Sequence, residues 1–529
     1  MRPLDNILEG ASLRLPETLV CNPLPKRKMR SALPCGFVPG LWVPGVHDNC
    51  THNEVSALLM RSLAPAAPGA PAVLGSNFLC AVKRLRVVAK AYTGGRWSYR
   101  DVVNTYAGAM RRRYEEAERS LMMKPTLGRD DWLLKAFLKA EKLVPGKKAK
   151  PRMIFPRSPR FNLVLATWLK PFEHWLWGYL TAERLLGQKG NNTRVCAKGL
   201  SPRERGNLIA RKFSRFRSCV VFEVDGKAFE AHVSRQQLVE EHSVYLSAFQ
   251  GDRELHSVLQ RQLFMKGYTA TGVKFSRDGG RSSGDYNTGM GNTLLMLCCV
   301  VSAMQGRGVP YDVLADGDNA IIFLERSDYP GVRADFASRV FAECGHEMTL
   351  ERPAFQLEDV RFGQSAPVYL GHGLGWTMVR DPRKVISHCL ASHRWLAEPI
   401  GGKRWARGIA QCELSLARGV PVLQDFALKL LRATEGCRPL SADHYRDYLS
   451  MGARVEVDSS HAVKPTLEAR VSFWRAWGIP PGEQETFVSS LPDPVFPSGW
   501  SPQVWREGPD CWRADPGFLE GWLSDRIFD

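Results

Sequence analysis

One of the clearest hydrophobic patterns in the chain is Ser218–Asp225 (SCVVFEVD), a run of β-branched and aromatic residues ending in a carboxylate. Such a run predicts a buried strand. A helical stretch follows from Ser234, then a turn-rich loop over Arg277–Gly284 and an apolar helix from Asn287 to Met304. After a break at Gly306–Pro310, the runs YDVLA and AIIFL flank Asp316–Asn319 and predict strand, tight turn and strand. Upstream, Tyr99–Leu121 has helical periodicity, and the adjacent Arg111, Arg112 and Arg113 read as its solvated face. Residues 146–160 (GKKAKPRMIFPRSPR) are the densest basic stretch, and their prolines impose an extended path. Ala64–Pro71 (APAAPGAP) predicts a linker or rigid turn between an N-terminal arm and the main body. Beyond about residue 386 the pattern is helical with a break at Gly419–Val422, and Leu491–Trp512 reads as irregular coil.

Composition narrows the class. A chain of 529 residues is too long for one ordinary core, so two or more packed subdomains are expected. The hydrophobic share of 44% with 24% charged residues is that of a globular protein rather than a disordered one. Lysine and arginine outnumber acids by 72 to 54, a net charge of +18 that favours a polyanionic partner, nucleic acid first. Thirteen cysteines without a CxxC spacing suggest reduced thiols rather than a disulfide framework. His47, Cys50 and His52 lie close together, but no second pair stands at zinc-site spacing, so a structural role is expected. Asp5 and Glu9 interrupt any apolar N-terminal stretch of the secretory kind. The longest apolar run, Leu294–Val301, is far shorter than the roughly 20 residues of a membrane-spanning helix. Work at a membrane would need another factor as anchor.

Two carboxylates at the ends of neighbouring strands are what two-metal phosphoryl transfer requires. One cation lowers the pKa of an attacking hydroxyl, and the other clamps a triphosphate and its leaving pyrophosphate. Ions in such sites lie about 3.5–4 Å apart, so their ligands must come from rigid adjoining elements. Asp225, at a strand end, and Asp318, in a strand–turn–strand, have that placement. Singly, each is more often a surface turn residue. In order with a basic loop before them and a Ser-Gly loop and helix between, they form a constellation.

At these residues the chain resembles the RNA polymerases of tombusviruses and their relatives, from about Ser76 to about residue 435. AFLKAEK (Ala136–Lys142) and KPRMIFPRSPRFN (Lys150–Asn162) resemble that family's fingertip motif. VDGKAFEAHVS (Val224–Ser234) is similar to its palm motif A, RSSGDYNTGMGN (Arg281–Asn292) to motif B, and DGDN (Asp316–Asn319) stands in the place of motif C. RFGQSAPVYLG (Arg361–Gly371) and MVRDPRKVISH (Met378–His388) resemble its motif E region. Five matches in the right order and spacing are specific.

The resemblance implies an α+β right-hand polymerase with fingers, palm and thumb, an RRM-like antiparallel palm sheet and a mostly helical thumb. Its divisions would be an arm over 1–75, fingers over 76–217, a palm over 218–385 with a fingers insertion at about 235–280, and thumb and tail over 386–529. Asp225, Asp318 and Asn319 would be catalytic, with the two aspartates holding two divalent ions, Mg²⁺ or Mn²⁺. Lys150, Arg152 and Arg157 would line the nucleotide channel and hold the triphosphate. Glu230, Ser283, Thr288 and Asn292 would read the ribose and its 2′-hydroxyl, and Gly284 would let the motif B loop approach the nascent base pair. Arg160 and Lys139 would contact RNA, and Phe229 reads as core. The implied partners are an RNA template with primer or product strand, NTPs and another viral replicase product, in the host cytoplasm, with membrane association through that other factor.

Three departures stand out. The usual Gly-Asp-Asp is Gly317-Asp318-Asn319, which keeps an oxygen ligand but gives up a charge. The same variant marks the ambiguiviruses of fungi, which the chain resembles most. The acid that reads the 2′-hydroxyl is Glu230 rather than aspartate. The motif D lysine aligns near Thr349, with His346 and Arg352 nearby, and leaves the general acid unassigned. These departures motivate a second reading, a catalytically impaired RNA-binding replicase subunit. A third, a two-metal nuclease, leaves the fingertip motif and Asn292 without a role.

Overall fold

The computed structural model describes residues 10–16, 29–147 and 149–498, with residues 504–505 as a short strand. Nine strands build two sheets: β1 (Ala11–Arg14), β2 (Leu134–Leu138), β3 (Met153–Ile154), β4 (Cys219–Gly226), β5 (Phe264–Thr269), β6 (Lys274–Asp278), β7 (Tyr311–Asp316), β8 (Asn319–Glu325) and β9 (Met348–Leu350). The first sheet has the order β1-β6-β5-β2-β3, with β2 and β5 parallel. The second has the order β9-β4-β8-β7 and is antiparallel throughout. The fold is mixed α and β, and the described residues beyond 386 are mostly helical.

The second sheet carries the site, and its alternation explains its burial. Side chains two apart share a face. Val220, Phe222 and Val224 of β4 join Ala320, Ile322 and Leu324 of β8 in the largest apolar cluster. Val221 of β4 joins Ile321 and Phe323 of β8 on the opposite face, over Ile209 and Phe362. Glu223 and Asp225 continue this second row, so both acids lie on one face of the strand.

Helices cover the first face. After α1 (Thr51–Ala57), which packs on the five-stranded sheet, α2 (Ser76–Ala89), α3 (Tyr99–Asn104), α4 (Gly108–Met123), α5 (Pro159–Tyr179), α6 (Arg235–Ala248), α7 (Thr288–Met304) and α8 (Tyr329–Cys344) share its apolar cluster, while α9 (Pro399–Leu416) and α10 (Leu423–Ala433) form another. α7 is apolar all round and buried along most of its length, which places it between the sheet and the other helices. Ser234 caps α6 by accepting from the Gln237 amide at 3.2 Å, where the sequence predicts the helix to begin. The single helix expected over Tyr99–Leu121 is two. The chain breaks at Thr105–Ala107, and Gly108 takes a φ of +58° where a Cβ would overlap the Asp443 carboxylate. Asp443 lies 335 positions on, so no local signal marks that break.

The N-terminal arm is not a separate unit. β1 pairs with β6, and Arg30–Ser31 pairs with Ala391–Ser392 near the C-terminal helices. Buried Glu54 accepts from Thr269 Oγ1 at 2.5 Å and from Thr271 Oγ1. Arg277 donates to the carbonyls of Ser62 at 3.0 Å and Ala64 at 2.8 Å, fixing the start of the expected linker. His47, Cys50 and His52 are buried within this arm. Of the expected tail coil, residues 491–498 are described, and 499–503 and 506–512 lie outside the described residues. Among the described residues no helix is long and apolar enough to cross a membrane.

Candidate active site

The β4–β8 register sets the centre of the site. Asn319 stands directly opposite Asp225, and Asp318 precedes Asn319 in the turn from β7. That turn is a two-residue hairpin in which Gly317 has a φ of +65°, a conformation glycine adopts without strain. Thr293 Oγ1 of α7 accepts from the Gly317 amide at 2.8 Å and ties the hairpin to the core. The Gly226 amide donates to the Asp318 carbonyl at 3.4 Å, so the two aspartates sit at one rim of the sheet.

Their electrostatics are those of crowded acids. The Asp225 carboxyl is pushed up to about 6, first by burial and then by the Asp318 and Glu351 carboxylates. Glu223, two residues earlier, is pushed up to about 7, chiefly by burial, against the hydrogen bond from Asn319. The Asn319 amide donates from Nδ2 to Glu223 Oε1 at 2.6 Å, and its Oδ1 is buried without a partner. Two carboxylates that disfavour each other's charge, beside an orphaned amide oxygen, form an all-oxygen donor set that fits a hard divalent cation. Asp316, the first acid of the turn, is different. Lys198 at 2.7 Å and Arg205 at 2.8 Å neutralise it and hold its carboxyl below the usual range, against burial.

A cleft of about 170 Å³ opens beside the aspartates, lined among others by Arg61, Arg152, Lys227, Glu230 and Arg281. Ser283 and Asn292 converge on Glu230 at its wall. Ser283 Oγ donates to Glu230, and Asn292 Nδ2 donates to the other Glu230 oxygen at 3.4 Å. Asn292 Oδ1 accepts from Arg281 Nε at 3.0 Å, which settles which end of the amide faces Glu230. Arg281 is held by buried Glu241, which also accepts from Tyr245 at 2.6 Å and Asn287 at 2.9 Å. Glu230, Ser283 and Asn292 are therefore brought together as expected. Thr288 is not part of that contact. Its hydroxyl donates to the Ser282 carbonyl at 2.9 Å and accepts from the Gly284 amide at 3.4 Å, bracing the loop. At Gly284, with φ +139°, a Cβ would meet the Phe155 backbone at 2.9 Å, so only glycine fits.

A profile of viral RNA-dependent RNA polymerases matches residues 27–490. The chain belongs to that family. The turnip crinkle virus RNA-directed RNA polymerase is 31% identical over 89% of the chain and 61% of its own length. The carnation mottle virus RNA-directed RNA polymerase is 33% identical over 79% of the chain and 53% of its own length. That of tomato bushy stunt virus is 31% identical over 83% and 53%. The chain thus spans little more than half the length of these curated relatives.

The basic residues require correction. In the extended run 151–157 burial alternates, with Met153, Phe155 and Arg157 inward and Arg152 and Ile154 more exposed. Arg157 does not line the cleft. It is 2% exposed, paired with Asp285 at 2.5 Å and donating to the Trp132 carbonyl at 2.7 Å. Arg160 is likewise spent internally, on Asp131 at 3.1 Å, Ser120 at 2.7 Å and the carbonyls of Lys124 and Thr126. Lys139 pairs with Glu141 at 3.2 Å at the surface, and Arg152 reaches the same carboxylate at 3.2 Å while lining the cleft. Lys150 is exposed, and its carbonyl accepts from Arg61 at 3.3 Å. Phe229 is core, as expected, stacked on His346 at 4.2 Å. That histidine is wholly buried and held down at about 3 by desolvation, so it is no proton donor to the cleft. Thr349 stands opposite Asp225 on β9.

Arg61, Glu223 and Arg281 are functional-site residues that sequence reasoning missed. A lone acid inside the apolar run VVFEV is a detectable signal for Glu223, because buried charge is costly. Arg61 has no such signal. It follows α1 in the arm, and its guanidinium is lowered by burial and by Arg152 and raised by Glu141, Glu230 and Asp318.

Arg157→Ala leaves Asp285 buried and unpaired, so urea unfolding should show a loss of about 3–5 kcal/mol. Unchanged stability with a raised KM for NTP would restore Arg157 to the triphosphate. In metal-free protein, the raised Asp225 and Glu223 bind protons that the unfolded chain has already released. Stability should therefore fall as pH rises from the ordinary carboxylate range to about 6 and about 7 respectively. Thermal melts should show a steeper fall over this range for the wild type than for Asp225→Asn with Glu223→Gln.

Proposed function

We propose that this chain is an RNA-directed RNA polymerase that replicates a positive-strand viral RNA by two-metal nucleotidyl transfer from NTPs. The observation that carries the reading is Asp225 at a strand end and Asp318 in the adjoining turn, lining one cleft with Glu230, which Ser283 and Asn292 hold from behind. In this reading the four-stranded sheet with α7 and α8 is the palm, the five-stranded sheet belongs to the fingers, and the helices after 386 are the thumb. The arm then joins fingers to thumb through β1 and Arg30–Ser31. The Gly317-Asp318-Asn319 turn supports a place near the ambiguiviruses of fungi.

Two divalent ions, Mg²⁺ or Mn²⁺, would be held by Asp225 and Asp318 with Asn319 Oδ1 as a neutral ligand, and would activate the 3′-hydroxyl and stabilise pyrophosphate. The chain's own residues supply the rest. Arg61 and Arg152 offer fixed positive charge to the triphosphate. Glu230 accepts from a ribose 2′-hydroxyl, while Asn292 Nδ2, turned by Arg281, donates to the same group, which favours ribonucleotides. Thr288 and Gly284 hold the loop that presents Ser283. Asp225, Asp318, Glu230, Ser283 and Asn292 are all retained and brought together, which favours an enzyme over an impaired RNA-binding subunit.

The outer face of the five-stranded sheet supports an RNA partner. Exposed Phe137, Phe264 and Tyr268 alternate there with Lys135, Lys266 and Lys274. Aromatic faces stack bases and lysines meet phosphates, which suits single-stranded template.

Asp318→Ala should abolish primer extension, a loss of at least about a thousandfold, while binding hairpin RNA nearly as the wild type does. Extension by that variant would refute the assignment. Phe264→Ser with Tyr268→Ser should weaken binding of a single-stranded oligonucleotide by about tenfold or more without lowering the melting temperature. Unchanged anisotropy titrations would remove this face from the template path.

A further inference from the structure

The Gly-Asp-Asn turn lacks one negative charge, and β4 carries a carboxylate at hydrogen-bond distance from the very residue that lacks it. Glu223 is the only acid in the interior of VVFEV, and it faces Ile321 in register on β8. Its neighbours in the row, Val221 and Ile321, are apolar, and its half-buried side chain reaches the edge of a cleft that Arg352, Arg361 and Lys384 also line. Its Oε1 accepts from Asn319 Nδ2 at 2.6 Å. With that oxygen accepting, the amide is held by its NH₂ end. The planar amide then has Oδ1 as its other end, and that oxygen is buried without a partner. Buried polar atoms are rarely left so, and an acceptor beside two aspartates calls for a cation. Other charges face Glu223 too: Asp225 and Glu351 repel it, and Arg361 attracts it.

We infer that Glu223 is a positioning residue for the cation site, one that locks Asn319 with its oxygen toward the ions and supplies the charge that the turn has lost. The inference rests on the polymerase reading, and it makes Glu223 and Asn319 one unit. An aspartate at 319 has no NH₂ to offer, and it would set two carboxylates against each other at the same contact. A glutamine at 223 can turn either end to Asn319 and no longer dictates its orientation. Both changes together rebuild the contact in mirror image, with the glutamine NH₂ donating to the aspartate and the total charge unchanged.

The test uses Mn²⁺ alone as probe, with binding to the RNA-free full chain read by electron paramagnetic resonance, beside melting of the metal-free protein at pH 8. Glu223→Gln and Asn319→Asp should each weaken Mn²⁺ binding by about tenfold, and the double variant should recover to within about threefold of the wild type. Asn319→Asp alone should also melt lower than the wild type, and the double variant should not. The activity ratio in Mg²⁺ and Mn²⁺ should follow the same order. Single variants that bind Mn²⁺ like the wild type, or a double variant no better than the worse single, would overturn the inference while leaving the polymerase reading intact. A wild type whose Mn²⁺ affinity is untouched by Asp318→Ala would overturn both.

Discussion

The antiparallel pairing of β4 with β8 is the constraint on which the site depends. Seven paired positions, from Asn319 with Asp225 to Glu325 with Cys219, bring together residues almost a hundred positions apart. A slip of one residue would turn every side chain of one strand to the other face, moving Asp225 into the apolar layer under α7. That layer resists the slip, because Val220, Phe222 and Val224 fill it together with Ala320, Ile322 and Leu324. The apolar residues of the strands therefore place the acids, although they touch no substrate.

Around this pairing the cleft is built by relays of buried charge. Glu241 holds Arg281, Arg281 orients Asn292, and Asn292 with Ser283 fixes Glu230. On the other side, Arg157 and Asp285 join the basic extended run to the loop after Gly284, and Glu54 fastens the N-terminal arm to the turn after β5. Each pair is worth little as net stability, yet each is costly to break from one side. Such pairs suit a site whose side chains must keep one orientation, as the proposed polymerase function requires.

What the sequence made legible was whatever depends on local pattern. The β-branched run before Asp225, the paired strands about Gly317 and the apolar helix from Asn287 all stand where their periodicity puts them. Side-chain partners far apart in the chain were not legible. Arg152 and Arg157 look alike in a basic run, and their fates differ because extended chain alternates sides and Asp285 waits on the inner one. The apolar side chains of Met153 and Phe155 share that side and were the available clue. Arg61 illustrates the opposite limit, since nothing near it in the chain announces that the arm folds back over the cleft. The capped break at Gly108 was hidden for the same reason, its cause being a carboxylate from a distant turn.

The central claim is that Asp225 and Asp318 jointly hold cations. It is tested most directly by the anomalous scattering of a crystal of the full chain grown with Mn²⁺ and a non-hydrolysable NTP. Two peaks about 3.5–4 Å apart are expected, between these aspartates and within reach of Asn319 Oδ1. Peaks at Asp316 or elsewhere, with none between Asp225 and Asp318, would contradict it.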